Sequence, residues 1–176
     1  MNSENYLLYR FSQKEEISVI QCENPFDGTL LKVSPFNIIW LCRLFLVGEK
    51  KNILKVIFLA FYDLLLGQTK EKICFVIYCQ QNEIFSYLAV QHVKYHMPWI
   101  VEDALEIGAV YTLPKYRGKG LYSFSLETLI KNDDRTYFMI VESENNPSIK
   151  GIEKAGFKFL KIILKDTKNK IYPNYE

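Results

Sequence analysis

The stretch ALEIGAVYTLPKYRGKGLYSFSLETLIK, residues 104–131, carries the most informative pattern in this sequence. It opens with an apolar run, continues through a basic turn with two glycines, Gly118 and Gly120, and ends with apolar residues at helical spacing. This pattern predicts a strand, a tight turn and a helix. Free backbone N–H groups and the helix dipole favour an anion at such a place, and Arg117 and Lys119 add positive charge. The segment alone is equally consistent with an anion site and with an ordinary strand-to-helix connection.

Length and composition predict a single domain over residues 1–176. The chain is 49% hydrophobic and 24% charged, which excludes a disordered protein and allows a large core. The net charge of +2 gives no basis for a general nucleic-acid-binding surface, so any basic site is local. The four cysteines form no Cys-x-x-Cys pair and no secretory signal precedes them. We therefore expect reduced thiols in a cytoplasmic protein.

Apolar patterning along the chain predicts alternating strands and helices. Strands are expected at residues 5–11, 72–79, 84–93, 104–113, 137–141 and 158–164, and residues 17–22 form either a further strand or a continuation of the first. Helices are expected at residues 36–47, 53–66, 121–131 and 148–154. Asn52 is the expected N-terminal cap of the second helix. The expected fold is therefore one mixed α/β domain.

The two apolar helices between residues 36 and 66 call for a comparison with membrane spans. Neither run approaches the roughly 20 apolar residues that a span requires, and charged residues such as Lys55 and Asp63 interrupt the second. A transmembrane interpretation therefore fails. Core or interface helices are the simplest interpretation, and peripheral contact with a membrane and a homodimer stay open as alternatives.

Two segments together resemble one protein family. The turn KYRGKG, residues 115–120, resembles the pyrophosphate loop of the GCN5-related N-acetyltransferases, whose usual form is Gln/Arg-x-x-Gly-x-Gly/Ala. Lys115 departs from that form. The segment NNPSIKGIEKAGF, residues 145–157, resembles the closing helix and Gly-Phe turn of the same family, with Ile152 where many members carry a tyrosine. The resemblance covers about residues 104–164.

The resemblance implies a mixed, mostly antiparallel sheet of about seven strands flanked by about four helices. The fourth and fifth strands, Leu105–Leu113 and Tyr137–Val141, would run parallel and splay apart, and acetyl-CoA would lie in the gap between them. No metal is implied. The residues implied in binding the cofactor are Tyr111, Thr112, Leu113, Arg117, Gly118, Lys119, Gly120, Leu121, Asn145 and Ser148.

Acetyl transfer from a thioester to an amine needs a base, a donor to the developing oxyanion and an acid for the departing thiolate. Glu106 is the first candidate for the base because it is a lone carboxylate in an apolar strand. The alternative is that Glu106 faces solvent or pairs with a lysine. Tyr111 and Tyr122 are the candidates for the acid, and Ser148 or water could replace them.

Other polar and aromatic residues are weaker candidates. Glu102 and Asp103 are second choices for the base and His92 is the third. The spacing of His92 and His96 suits a metal site on a helix, but the segment is predicted as a strand, which argues against a metal there. Three aromatic residues are candidates for the wall of an acceptor pocket, namely Tyr95, Trp99 and Tyr116.

The predicted function is an acetyl-CoA-dependent N-acetyltransferase that acts on a primary amine of a small molecule. The run YTLPKYRGKG, residues 111–120, also resembles acetyltransferases associated with bacterial surface-polysaccharide biosynthesis. On that resemblance the acceptor would be an amino sugar, either nucleotide- or lipid-linked. Two alternatives stay open: a protein lysine or N-terminal acetyltransferase, and a non-catalytic acyl-CoA-binding module.

Overall fold

A computed structural model describes residues 4–12, 27–65, 73–81, 83–131, 133–165 and 171–173. The strands are β1 (Glu4–Phe11), β2 (Thr29–Val33), β3 (Cys74–Gln80), β4 (Glu83–His92), β5 (Ala104–Thr112), β6 (Thr136–Glu142), β7 (Lys158–Lys165) and β8 (Ile171–Pro173). The helices are α1 (Ile38–Val47), α2 (Lys50–Leu65), α3 (Leu121–Lys131) and α4 (Asn146–Lys154). Short 3₁₀ turns lie at Val93–Tyr95 and Pro114–Tyr116.

The eight strands form one mixed sheet in the order β2-β3-β4-β5-β6-β1-β7-β8. Every neighbouring pair is antiparallel except β5 and β6, which are parallel. The predicted fold class, with one parallel pair at these two segments and four helices, is confirmed. The pair is fifth and sixth in chain order because β2 was not anticipated, and the three-residue β8 adds the eighth strand. The possible strand at residues 17–22 lies outside the described residues.

Strand β2 escaped prediction because its sequence carries little strand pattern. It is an edge strand of five residues that pairs only with β3, and Val33 is its one buried side chain. A short edge strand needs few buried side chains, so apolar alternation is a weak signal for it.

The first strand completes the C-terminal half of the sheet. β1 lies between β6 and β7 and pairs antiparallel with both. Tyr6 lies opposite Glu142 of β6, and Glu4 lies opposite Lys165 of β7. Its central side chains, Leu8 and Tyr9, are almost fully buried. The half of the sheet beyond β6 is therefore built from both ends of the sequence.

The bounds of the first two helices follow from their caps. Asn37 caps α1, since its side-chain oxygen accepts a hydrogen bond from the Trp40 N–H at 3.3 Å. The predicted cap of α2 by Asn52 is wrong. Asn52 lies in the first turn, and its side-chain amide donates to the Glu49 carboxylate at 2.7 Å. The helix begins at Lys50, three residues earlier than predicted.

The helices cover both faces of the sheet. On β3 and β4, Val76, Leu88 and Val90 belong to a core cluster that includes α3 and α4. The alternate residues Phe75, Ile77, Tyr87 and Ala89 belong to a second cluster that includes α1 and α2. Successive side chains of a strand point to opposite faces, so the two helix pairs lie on opposite sides of the sheet. We call these the α3/α4 face and the α1/α2 face.

Candidate functional site

The two parallel strands pair for only part of their length. Their pairing runs from Ala104↔Thr136 to Ile107↔Met139. Beyond that point β5 continues to Thr112 paired with β4, and β6 continues to Glu142 paired with β1. The edge of β5 at residues 108–112 therefore faces a gap. Backbone N–H and C=O groups require partners, so an extended amide-bearing ligand could satisfy this edge.

A β-bulge lies at the start of this edge. The register of β4 and β5 shifts between Ala89↔Gly108 and Tyr87↔Tyr111, so β5 carries one extra residue. Ala109, within the bulge, has a positive φ of 48°. A non-glycine residue in this region costs roughly 1–2 kcal/mol, and such strain is often found at functional sites. The bulge turns Tyr111 toward the α1/α2 face, the face that also carries Glu106.

The turn after β5 has the geometry that the sequence predicted. Gly118 and Gly120 both have positive φ, 72° and 79°, and a Cβ added at either would meet no heavy atom within 4 Å. The first helical hydrogen bond of α3 runs from the Phe124 N–H to the Gly120 carbonyl at 3.0 Å. The amides of residues 121–123 precede that bond, so the helix offers its N-terminal N–H groups toward open space. This cradle fits an anionic group such as a diphosphate.

The basic side chains of the turn have different surroundings. Lys115, the departure from the family's usual turn, pairs with Glu83 at the start of β4, and the Tyr116 hydroxyl donates to the same carboxylate at 2.8 Å. The Lys115 contact, followed by that of Tyr116, holds the pKa of the Glu83 carboxyl below its ordinary value. Arg117 donates from Nε to the Thr112 carbonyl at 3.0 Å. The Arg117 guanidinium is thus fixed at the end of the gap.

Asn145 and Ser148 meet at the N-terminus of α4. The Asn145 side-chain oxygen accepts from the Ser148 N–H at 3.3 Å and caps the helix. An amide also has two donors, so the Asn145 nitrogen can still serve a ligand. Both residues follow β6, the second wall of the gap.

Glu106 lies near the point where the strands part, and its carboxylate is buried. Its side chain is 6% exposed, and its oxygens lie 2.8 and 2.7 Å from Nδ1 of His96. Gln91, directly opposite on β4, donates to the same carboxylate at 2.9 Å. The alternative interpretation, that Glu106 faces solvent or pairs with a lysine, is therefore wrong.

His96 is a partner of Glu106 that the sequence did not predict. A carboxylate only accepts, so Nδ1 of His96 donates to Glu106 and Nε2 is left as the acceptor of the neutral ring. Nε2 lies 2.5 Å from Nζ of Lys55 on α2. The histidine side chain is 24% exposed, so it is the accessible end of the cluster. The 3₁₀ turn at Val93–Tyr95 brings His96 back over the sheet.

The two predicted acid residues occupy opposite faces. Tyr111 stacks on Tyr87 with ring centroids 5.8 Å apart, and the Arg117 guanidinium lies 5.8 Å from its ring. Tyr122, in the first turn of α3, packs against the backbone of Gly151 in α4. Burial raises the pKa of Tyr122 well above its ordinary value, which makes it a poorer proton donor. Tyr111 is the better placed of the two.

The position of the family's tyrosine lies in the core. Ile152 is 1% exposed and belongs to the core cluster on the α3/α4 face. A tyrosine at this position would require repacking of that core.

The weaker candidates for a base have structural partners. His92 accepts at Nδ1 from the Lys94 N–H at 3.1 Å, and its Nε2 lies 3.2 Å from the Asp103 carboxylate. Glu102 pairs with Arg10 at 3.2 Å. These contacts fix the segment before β5.

The three aromatic candidates for an acceptor pocket are dispersed. Trp99 lines a cleft of about 380 Å³ together with Glu102 and Phe138. Tyr95 packs against His92, and Tyr116 packs against Phe85 with centroids 4.3 Å apart. They therefore do not line one common pocket.

Comparison with known proteins decides the family. The sequence profile of the acetyltransferase (GNAT) family matches residues 36–157. The chain belongs to the acetyltransferase (GNAT) family. The match includes the gap, the glycine turn and the closing helix. A search of curated proteins finds no match.

Solved structures of similar fold include several from the GNAT family. A GNAT-family acetyltransferase from Colwellia psychrerythraea is 16% identical, with a TM-score of 0.55 over 92% of this chain and 54% of that one. A GCN5-related N-acetyltransferase from Sphaerobacter thermophilus is 10% identical, with a TM-score of 0.59 over 92% of this chain and 50% of the other. A conserved protein of unknown function from Staphylococcus epidermidis is 11% identical, with a TM-score of 0.58 over 92% and 60%. The chain thus spans between half and two thirds of the length of these structures.

Among the described residues, no group of three or more His, Cys, Asp or Glu side chains is placed to bind a metal ion. None of the helices in the described ranges is long and apolar enough to cross a lipid bilayer.

Proposed function

We infer that this GNAT protein transfers an acetyl group from acetyl-CoA to the primary amine of a small molecule. The observation that carries the proposal is the edge of β5 beyond its pairing with β6, which leads into a turn with two positive-φ glycines at the head of α3. The edge offers amides to a pantetheine chain and the turn offers N–H groups to a diphosphate. The strand edge and the turn follow one another along the protein chain, as the pantetheine and the diphosphate do in CoA.

The proposed assignment of cofactor contacts follows that order. Backbone groups of Tyr111, Thr112 and Leu113 would pair with the pantetheine arm. The turn from Arg117 to Leu121, including Gly118, Lys119 and Gly120, would hold the diphosphate. Asn145 and Ser148, at the opposite wall, would contact the pantetheine amides.

His96 is the proposed base, and Glu106 is its positioning residue. The Glu106 carboxylate is buried, and His96 and Gln91 already occupy it, so an incoming amine would meet the imidazole first. Glu106 fixes the ring with Nδ1–H toward the sheet and Nε2 outward, the arrangement that prepares a histidine to accept a proton. Proton acceptance by a positioned side chain typically contributes about 10²–10⁴-fold to a rate.

Lys55 marks where the acceptor would bind. Its amine lies at hydrogen-bonding distance from Nε2 of His96, which is the position that a substrate amine must take. Lys55 is exposed and on a long side chain, so a substrate amine could displace it.

The proposed transfer step uses acetyl-CoA, the acceptor amine and the residues named above. Acetyl-CoA supplies an activated acyl carbonyl. His96 accepts the proton that the amine nitrogen loses as it bonds to the carbonyl carbon, and backbone N–H groups of β5 donate to the developing oxyanion. The carbon–sulfur bond breaks, and the thiolate takes a proton from Tyr111 or from water.

A thiol-release assay across a panel of acceptors tests this function. The panel contains small aliphatic amines, free and nucleotide-linked amino sugars, and lysine-bearing or amino-terminal peptides. Release with a small amine supports the proposal, and release with an amino sugar extends it to the polysaccharide type. Release with peptides alone would indicate protein acetylation. Acetyl-CoA binding without turnover on any acceptor would indicate a non-catalytic module.

A further inference from the structure

An exposed apolar surface lies on the outer side of the first two helices. Nine large apolar side chains that are exposed lie between residues 36 and 65, whereas four are exposed in the rest of the described chain. We call these nine residues the outer patch. On α2 the patch includes Leu54, Phe58, Phe61 and Leu65, at the spacing of one helical face. Scattered exposed apolar residues are ordinary, but a contiguous group of this size marks an interaction surface.

The outer patch is distinct from the side of α2 that packs on the sheet. Ile53, Val56 and Ala60 are buried against the α1/α2 face, so α2 is apolar both inward and outward. On α1, Ile38 and Leu46 are 74% and 85% exposed. Core packing therefore does not explain the apolar character of the outer side.

The charges around the patch favour an anionic partner. Between residues 36 and 65 the sequence has four basic residues, Arg43, Lys50, Lys51 and Lys55, and two acidic residues, Glu49 and Asp63. Lys50, Lys51 and Lys55 are exposed at the start of α2, and the Glu49 carboxylate there accepts from the Asn52 side chain. Apolar and aromatic side chains beside a cluster of lysines are typical of helices that lie in the surface of an anionic membrane.

A second copy of the chain fits this surface less well. A two-fold contact brings the same patch of both copies together, which places like charges in one interface. Like-charge juxtaposition opposes association, whereas an anionic lipid surface complements the lysines. The helices need not span the bilayer to bind in this way.

We propose that α1 and α2 dock the protein on the surface of an anionic lipid bilayer. Phe58 and Phe61 enter the headgroup and acyl boundary, and Lys50 and Lys51 contact the lipid phosphates. Because α2 also carries Lys55, docking would hold the His96 side of the molecule near the membrane. The proposal depends on the surface alone, so it stands or falls independently of acetyl transfer.

Cosedimentation with lipid vesicles tests the proposal. The probes are vesicles of phosphatidylcholine alone and vesicles of phosphatidylcholine with phosphatidylglycerol. We expect binding to the second kind and a steep loss of binding as salt is raised. The double variant Lys50→Gln/Lys51→Gln should bind about 25-fold more weakly, at about fivefold for each lysine. The matched control, Lys150→Gln/Lys154→Gln, removes two exposed lysines from α4 and should bind as the native protein does.

An apolar pair of variants completes the test. Phe58→Ser/Phe61→Ser should lose at least about tenfold in binding, whereas Phe159→Ser, at an exposed phenylalanine on β7, should keep it. Circular dichroism checks that each variant is folded. Absence of binding to anionic vesicles overturns the proposal, and so does binding that survives both double variants. A native dimer in light scattering that the Phe58/Phe61 variant abolishes, without vesicle binding, would assign the patch to a second copy instead.

Discussion

Glu106 holds His96 through both carboxylate oxygens, at 2.8 and 2.7 Å from Nδ1. One partner is buried and the other is partly exposed, so the pair joins the interior of the sheet to the surface that an acceptor would approach. A buried carboxylate that orients a histidine is an arrangement that prepares a general base. The pair is therefore the part of the site that most directly invites a kinetic test.

Removing the imidazole should slow acetyl transfer without loss of acetyl-CoA binding. His96→Gly is expected to lower kcat by about 10²–10⁴-fold, and added imidazole should restore part of the loss because it can enter the space left. Glu106→Gln, which keeps the shape but weakens the positioning, should lower kcat by less. Steady-state kinetics with a titration of imidazole measure both effects. Full activity of His96→Gly would exclude His96 as the base, and a loss that imidazole never repairs would leave it a structural role only.

The glycine turn should be sensitive to a single methyl group. Gly118→Ala places a Cβ in the open cradle where a diphosphate would approach, so acetyl-CoA affinity should fall by at least about tenfold. Gly156→Ala is the matched control because Gly156 also has a positive φ, 92°, but lies in the turn between α4 and β7. Both variants should lose similar stability, and only Gly118→Ala should lose affinity in calorimetry. Equal affinities in the two variants would refute the loop assignment.

At position 109, in the bulge, glycine should have little effect on stability, whereas a β-branched residue should destabilise the fold. Ala109 already has a positive φ, and valine in that region adds strain, so Ala109→Val should destabilise the fold by about 1–2 kcal/mol. Ala109→Gly relieves the strain but adds chain entropy to the unfolded state, so its net effect should be within about 1 kcal/mol. Urea denaturation measures both. An unchanged midpoint for the valine variant would argue against the positive φ.

Acid should weaken the loop that leads into β6 through Asp133. The Arg135 guanidinium holds the pKa of the Asp133 carboxyl well below its ordinary value, through contacts that include Nε to Oδ1 at 2.7 Å. Because the folded pKa is depressed, the stabilisation is present above the unfolded pKa of about 3.9 and is lost as the pH falls below it.

The variant Asp133→Asn isolates this effect. Native protein should be more stable than the variant near neutral pH, and the difference should shrink as the pH falls below about 4. Urea denaturation at a series of pH values measures the two curves. A difference that does not change with pH would mean that the charge of Asp133 is not what stabilises the loop.

The sequence predicted the strand, turn and helix of residues 104–131 because each has a local signal. Apolar residues define β5. The turn is defined by two glycines with positive φ angles, which other residues rarely adopt. The position of β1 between β6 and β7 has no local signal, since pairing across more than a hundred residues leaves no mark on the spacing within one strand.

The site could be predicted only in part, because some of its residues have a local signal and others meet only in the folded chain. Glu106 stood out as a carboxylate in an apolar strand, but its partner did not. In sequence, His96 is related by spacing only to His92, four residues earlier, and no local pattern shows that the chain returns His96 to Glu106 after the 3₁₀ turn at Val93–Tyr95. Ile152 matches a family position by spacing, and only its burial shows that a side chain there faces the core.

A crystal structure of the protein with acetyl-CoA would show whether the cofactor binds in the gap between β5 and β6. We expect the diphosphate on the N–H groups of the turn from Arg117 to Leu121, the pantetheine along residues 111–113, and the thioester where β5 and β6 part. When an acceptor amine is present, we also expect Lys55 to be displaced from His96. A cofactor bound elsewhere, with the gap closed by side chains and the glycine turn empty, would contradict this expectation.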